Sequence, residues 1–303
     1  MVKRFLSNGF WLMFLAAFIY SIGDVFIKIL STSLPITEVA FVRFLFGGVI
    51  LWPILSSLGT SLRGRHLPYL ILRGVFGTFS FLCLLRSMAM TSLSISMVLF
   101  YTFPIFAAFF SFLLIGETIG KKEMGFILMG LIGIYILINP GSQAFNMGYL
   151  FGLLASCLGG ISMVMIRKAR ETNGAFIIYF YFCMVGGVLT FPFFVSNFRM
   201  PNLQQWVLLL FLGLSLLVAQ VMMNQGFKFW RAAEGSLLLM SELVFAGIAG
   251  ILIFKDPVTF HFLLGAALIV GSGLGLNWVT QRSQPSLGMA RLSISRSKGD
   301  PLS

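Results

Sequence analysis

The sequence predicts an all-α integral membrane protein of ten transmembrane helices, arranged as two inverted five-helix repeats. Three observations predict it. Of 303 residues, 58% are hydrophobic and 10% charged, with a mean hydropathy of +0.97; soluble domains sit near about 45–50% and about 25%. The apolar residues fall into ten runs of roughly the length that crosses ~30 Å of hydrocarbon. The chain also repeats itself at an offset of 139 residues.

The runs lie at roughly 9–30, 36–57, 68–87, 93–115, 123–140, 147–166, 175–194, 204–226, 235–254 and 259–279. The gaps between them are short and carry breakers such as Pro35, Pro68, Pro140-Gly141 and Pro257. The first run continues from Gly9 past Leu30 without a small-residue cleavage pattern. It is therefore expected to be the first span and not a removable signal.

Basic residues orient the spans. With the N-terminus in the cytoplasm, that side receives Lys3, Arg4, Arg63, Arg65, Lys121, Lys122, Arg167, Lys168, Arg170, Lys228, Arg231, Arg282, Arg291, Arg296 and Lys298. These are 15 of the 21 basic residues, and the outer loops hold only Arg199 and Lys255. The asymmetry implies that both termini are cytoplasmic, in a bacterial-type inner membrane. It also accounts for the net charge of +12 without nucleic acid. Residues 1–8 form a short cytoplasmic lead, and 280–303 a polar, disordered tail.

The offset of 139 aligns Gly9 with Gly148, Ala16 with Ala155, Lys28 with Arg167 and Gly47-Gly48 with Gly186-Gly187. It also aligns Pro53 with Pro192, Gly74 with Gly213 and Glu117 with Asp256. The two copies occupy 9–140 and 147–279, with five spans each. Five is odd, so the second copy enters the membrane from the opposite face, a recurrent plan of secondary transporters.

Two stretches carry a family resemblance. "YTFPIFAAFFSFLLIGETI" (Tyr101–Ile119) resembles the fourth-span signature of EamA-type proteins in the drug/metabolite transporter superfamily. "SELVFAGIAGILIFKDPV" (Ser241–Val258) resembles its second copy, with Leu243 in place of a common Pro and Lys255-Asp256 in place of Gly-Glu. "LRG" at 72–74 fits the start of the third span. The resemblance implies a central cavity lined mainly by spans 1, 3, 4, 6, 8 and 9, with alternating access around it.

Ionisable residues inside spans are costly and mark candidate sites. Asp24, Arg43, Arg86 and Tyr101 fall in the outer half by a rise of ~1.5 Å per residue. Asn224, Gln225 and Glu242 fall in the inner half. Asp24 and Lys28 are i,i+4 and share a helix face. Arg43 and Arg86 suit a carboxylate or phosphate, or a pairing with Asp24. Arg73, ~7 Å above the inner edge, is expected to snorkel. The repeat sets Phe103 opposite Glu242, so one position is aromatic in one copy and acidic in the other. Glu242 has a structural alternative, capping unwound backbone or pairing with Lys228 or Arg231. Phe79, Phe103 and Trp230 are aromatic candidates for a cavity wall. The glycine pairs, and Gly271, Gly273 and Gly275, read as close helix contacts.

These residues point to a secondary carrier for a small polar or amphipathic metabolite, with an amino-acid-like or cofactor-like zwitterion as substrate. A proton or an exchanged metabolite is the candidate coupling partner, and lipids are the surroundings. No cofactor and no metal site is expected, because Cys83, Cys157 and Cys183 are scattered and no Cys/His cluster exists. "GETIGKK" (Gly116–Lys122) lacks the spacing and hydroxyl of a phosphate loop. The alternatives are an intramembrane enzyme, which lacks a nucleophile–base constellation, and a channel, which the unlike pairs Phe103/Glu242 and Arg43/Phe182 disfavour.

Overall fold

Each apolar run folds as helix, with ends set by local chemistry. The computed structural model describes residues 9–30, 33–57, 62–90, 96, 99–116, 120–138, 147–254 and 260–283. The first copy gives α1 (Phe10–Leu30), α2 (Ile36–Ser57), α3 (Leu67–Met90), α4 (Phe103–Ile115) and α5 (Lys121–Ile138). The second gives α6 (Met147–Ala169), α7 (Ala175–Asn197), α8 (Leu203–Gly226), α9 (Ala232–Leu239), α10 (Glu242–Phe254) and α11 (Phe260–Ser283). Among the described residues there is no strand. Among the described residues six helices, α1, α2, α3, α6, α7 and α8, are long and apolar enough to cross a membrane.

Helix ends follow from side-chain chemistry. Pro104 sits in the first turn of α4, where its missing N–H leaves no bond unmade. Gly116, at φ 69°, closes the same helix in the left-handed conformation that glycine adopts most easily. Asn202 Oδ1 accepts from the Gln205 N–H (2.9 Å), and Gln205 Oε1 accepts from the Asn202 N–H (2.8 Å). This reciprocal cap opens α8.

The 139-residue offset survives into the fold. Phe103–Ile115 and Glu242–Phe254 begin and end at matching positions. So do the starts of α2 and α7, and of α5 and α11. Packing partners exchange in the same way. α3 lies on α6 while α8 lies on α1, and α4 lies on α6 while α10 lies on α1. The pairs α2–α7 and α5–α11 each join matching helices.

At the α2–α7 crossing the matched glycines Gly47 and Gly186 let the helices touch. A Cβ on Gly47 would lie 2.5 Å from Cys183 Sγ, and one on Gly186 would lie 2.6 Å from Phe44 Cε1. Gly48 meets Met184 and Gly275 meets Phe126, but a Cβ on Gly187 would meet nothing within 4 Å. Gly187 is therefore not the packing contact expected of it. Large apolar side chains such as Phe112, Val188 and Leu252 point outward, which suits hydrocarbon better than water.

Two runs differ from the expectation of unbroken helices. In the run 93–115, Leu99 and Phe100 are helical, Tyr101 and Thr102 form a turn, and α4 starts at Phe103. The run 235–254 breaks at Met240–Ser241. There the Met240 N–H donates to Leu237 O (3.1 Å), the Ser241 N–H to Leu238 O (3.2 Å) and the Ser241 hydroxyl to Leu238 O (2.7 Å). These i→i−3 bonds tighten the backbone and end α9. Lys28's side chain, Glu117, Asp256 and residues 284–303 lie outside the described residues, while residues 280–283, expected in the disordered tail, are the last turn of α11.

Candidate functional site

Beside the two breaks lies a cavity of about 210 Å³ lined by residues of α1, α2, α3, α4, α6, α7, α8, α9 and α10, and by Phe100 and Tyr101 before α4. Many of its walls are repeat mates of one another. Tyr20 and Gly159, Asp24 and Met163, Arg43 and Phe182, Phe81 and Gln220, and Phe103 and Glu242 all line it, and each pair is 139 residues apart. The cavity therefore lies between the copies, where each helix meets the mate of its neighbour.

Five of the eight residues singled out from sequence meet here: Asp24, Arg43, Tyr101, Phe103 and Glu242. The Glu242 carboxyl neighbours the Asp24 carboxyl and the Tyr101 hydroxyl. Asp24 Oδ2 is buried without a hydrogen-bond partner. The expected division, with Asp24 in the outer half and Glu242 in the inner half, is corrected. The two carboxyls are neighbours on the wall of one cavity, so they share one level of the bundle. The alternative partner Arg231 pairs with Glu234 (3.9 Å) at the start of α9.

Arg86, Asn224 and Gln225 do not line the cavity. Arg86 is exposed. Asn224 is buried and its Nδ2 donates to Ala175 O (3.3 Å). Gln225 Oε1 accepts from Arg170 Nη2 (2.6 Å). That contact belongs to a network at one end of the bundle. There Asn173 Oδ1 accepts from the Arg65 N–H (2.7 Å), its Nδ2 donates to Arg65 O (2.8 Å), and Arg170 bonds Asn173 O. Of the aromatic candidates, Phe79 is exposed and Trp230 is buried beside Gly9, so neither is a cavity wall.

Arg73 is the largest departure. It does not snorkel: it is 3% exposed and lines the cavity. Its Nη1 donates to Ser162 Oγ (2.8 Å) and its Nη2 to Gln220 Oε1 (3.1 Å), and its guanidinium lies 3.9 Å over the Phe182 ring. Gly77 makes room for it, since a Cβ there would collide with Arg73 Nη1. Arg43 is 8% exposed and stacks on Phe81 (4.5 Å) and Phe44 (4.9 Å), with Phe182 at 6.0 Å. The signal for Arg73 was present in the repeat. Its mate is Leu212, the same acquired charge that singled out Glu242.

A helical protein with outward apolar faces and two acids and two bases in one interior cavity is a multi-pass membrane protein with a polar interior. The comparisons sharpen this. The model of the EamA-like transporter family matches residues 7–139 and again 146–278, so the chain belongs to that family, and it is a transporter and not an enzyme. It is 27% identical over 279 residues to the "Pseudopaline exporter CntI" of Pseudomonas aeruginosa, covering 91% of this chain and 98% of that one. It is 25% identical over 255 residues to the "S-adenosylmethionine uptake transporter" of Rickettsia bellii, covering 84% and 88%. A solved crystal structure matches with a TM-score of 0.75 at 17% identity, covering 91% of this chain and 97% of that one, a likeness of fold alone. These relatives imply a small-molecule substrate.

Proposed function

We propose that the chain is a secondary carrier that moves a small polar metabolite, an amino-acid-like or cofactor-like zwitterion, by alternating access. In this reading it crosses a bacterial-type inner membrane ten times, with copies at 9–140 and 147–279 inverted and both termini cytoplasmic. The basic-residue asymmetry and the odd number of runs per copy support that topology. The observation that carries the reading is the cavity between the copies, where Asp24 and Glu242 meet Arg43 and Arg73. Such charges are costly in a membrane unless they serve a pathway. The adjacent carboxyls of Asp24 and Glu242 repel each other when both are charged. A substrate ammonium or a coupled proton relieves that repulsion. Glu242 is thus the group we assign to cation recognition or proton coupling.

The cavity volume falls below the ~300–1,000 Å³ usual for drug-sized ligands, which favours a small substrate. Relatives named as an exporter and as an uptake transporter both fit a reversible carrier. Counterflow in proteoliposomes tests this, using labelled amino acids, labelled S-adenosylmethionine and a metabolite extract as internal load. Saturable counterflow supports a carrier. Flux that never saturates and shows no counterflow supports a channel and contradicts the proposal.

A further inference from the structure

We propose that Arg43 and Arg73 together form an anion subsite. It takes the carboxylate of an amino-acid-like zwitterion, whose ammonium end lies against Asp24 and Glu242. The inference rests on the carrier reading above and deepens it by fixing the chemistry and the direction of the bound molecule.

Both guanidinium groups stack by their faces on aromatic rings, and each keeps N–H donors without a partner among the described residues. Phe182 stands under Arg73 and near Arg43, so one ring joins the two cations. A guanidinium has five N–H donors. Arg73 uses Nη1 and Nη2 on Ser162 and Gln220, while its Nε is buried without a partner. Arg43 makes ring contacts and no hydrogen bond among the described residues. Neither is ion-paired to a carboxylate among the described residues. Asp24 acts on Arg43 only at a distance, because its carboxyl lies beside Glu242. Two buried cations without an anion are an incomplete arrangement, and stacking leaves the Arg43 fork ready for bidentate contact beside the unpartnered Nε of Arg73.

With both carboxyls ionised, the four charges cancel. A net-neutral zwitterion with one carboxylate and one ammonium preserves that balance. A phosphomonoester dianion would leave excess negative charge in a low-dielectric cavity. The neutral polar groups Ser162 and Gln220 hold Arg73 in place without neutralising it, which keeps the cation available to a ligand.

The test is binding to the purified full chain in nanodiscs, read by thermal shift and titration calorimetry. The twenty amino acids are each compared with their carboxamides and decarboxylated amines, and phosphoethanolamine is added as a phosphate probe. The proposal expects at least one amino acid to bind, with its amide and its amine each weaker by about tenfold or more. Arg43→Gln makes no change to a hydrogen-bonded partner and is the variant of choice. It is expected to bring the acid down to the affinity of its amide while changing amide binding by less than about twofold. Arg73→Lys gives the same pattern if it folds, and Arg86→Gln, outside the cavity, leaves all affinities unchanged. Equal binding of acid and amide overturns the proposal. So does an equal loss for both in Arg43→Gln, binding of phosphoethanolamine with no free amino acid bound, or no amino acid bound at all. Counterflow of a metabolite extract alongside that last result sinks the subsite and leaves the carrier reading standing.

Discussion

The two copies of the repeat supply the cavity with unlike chemistry. The first gives Asp24, Arg43 and Arg73, and the second gives Glu242. The mates of these residues are Met163, Phe182, Leu212 and Phe103, all apolar. Elsewhere the copies agree: α4 and α10 match end for end, and Gly47 and Gly186 play one role at the α2–α7 crossing. Where two copies only have to pack, duplicated residues serve both. Where they enclose an asymmetric molecule, each copy must differ. The contrast separates scaffold from site without any bound ligand.

Removing a charge from the site should have the largest effect. Glu242→Gln is nearly isosteric and keeps a hydrogen-bonding group beside Asp24 and Tyr101, so the protein should still insert and purify as a single species. Charge-assisted bonds are worth about 1.5–3 kcal/mol, so the initial transport rate should fall by about 10- to 150-fold. Its dependence on pH should flatten. Counterflow measured across a pH series checks both outcomes, and an unchanged profile would remove Glu242 from the mechanism.

Gly77→Ala tests Arg73 without altering any charge. The new Cβ collides with Arg73 Nη1 and would lie 3.1 Å from Ser162 Oγ, so the guanidinium must leave its place. We expect KM to rise by about tenfold, with a smaller change in maximal rate.

The scaffold side of the comparison predicts smaller effects. Gly186→Ala forces a methyl against Phe44 and should cost about 1–3 kcal/mol, read as a lower Tm with KM unchanged. The neighbouring Gly187→Ala meets nothing within 4 Å and should leave Tm almost unchanged. Equal losses in the two variants would contradict the assigned crossing. Arg86→Ala should do least, because Arg86 is exposed and outside the cavity.

Much of this was legible in the sequence because two signals are strong. Apolar run length and the offset of 139 residues locate helices that the fold then shows, to within a few residues at most ends. Glu242, Asp24, Arg43, Tyr101 and Phe103, polar or aromatic groups deep in their runs, all line the cavity. Arg73 was misplaced because depth was counted from the helix end alone. A guanidinium six residues into a helix can snorkel or turn inward, and only Gly77, Ser162, Gln220 and Phe182 decide which. Three of those four come from other elements of the chain, so spacing along α3 does not reveal them. The break at Met240–Ser241 was hidden for a related reason. A serine in an apolar run does not announce whether its hydroxyl bonds backward and ends the helix. Asn224 and Gln225 do not line the cavity, because Ala175 at the start of α7 and Arg170 just after α6 hold their side chains, and neither partner is near in sequence.

The central claim is that the cavity between the copies holds the transported molecule, and substrate protection tests it most directly. Met163, the mate of Asp24, lines the cavity, while Phe79 is exposed on the same helix as Arg73. In a background with Cys83, Cys157 and Cys183 replaced, Met163→Cys and Phe79→Cys are labelled with a small maleimide in proteoliposomes. The account predicts that the substrate identified by counterflow slows labelling of Met163→Cys, with half-protection near its transport KM, and leaves Phe79→Cys untouched. Equal labelling rates at Met163→Cys with and without saturating substrate would contradict it.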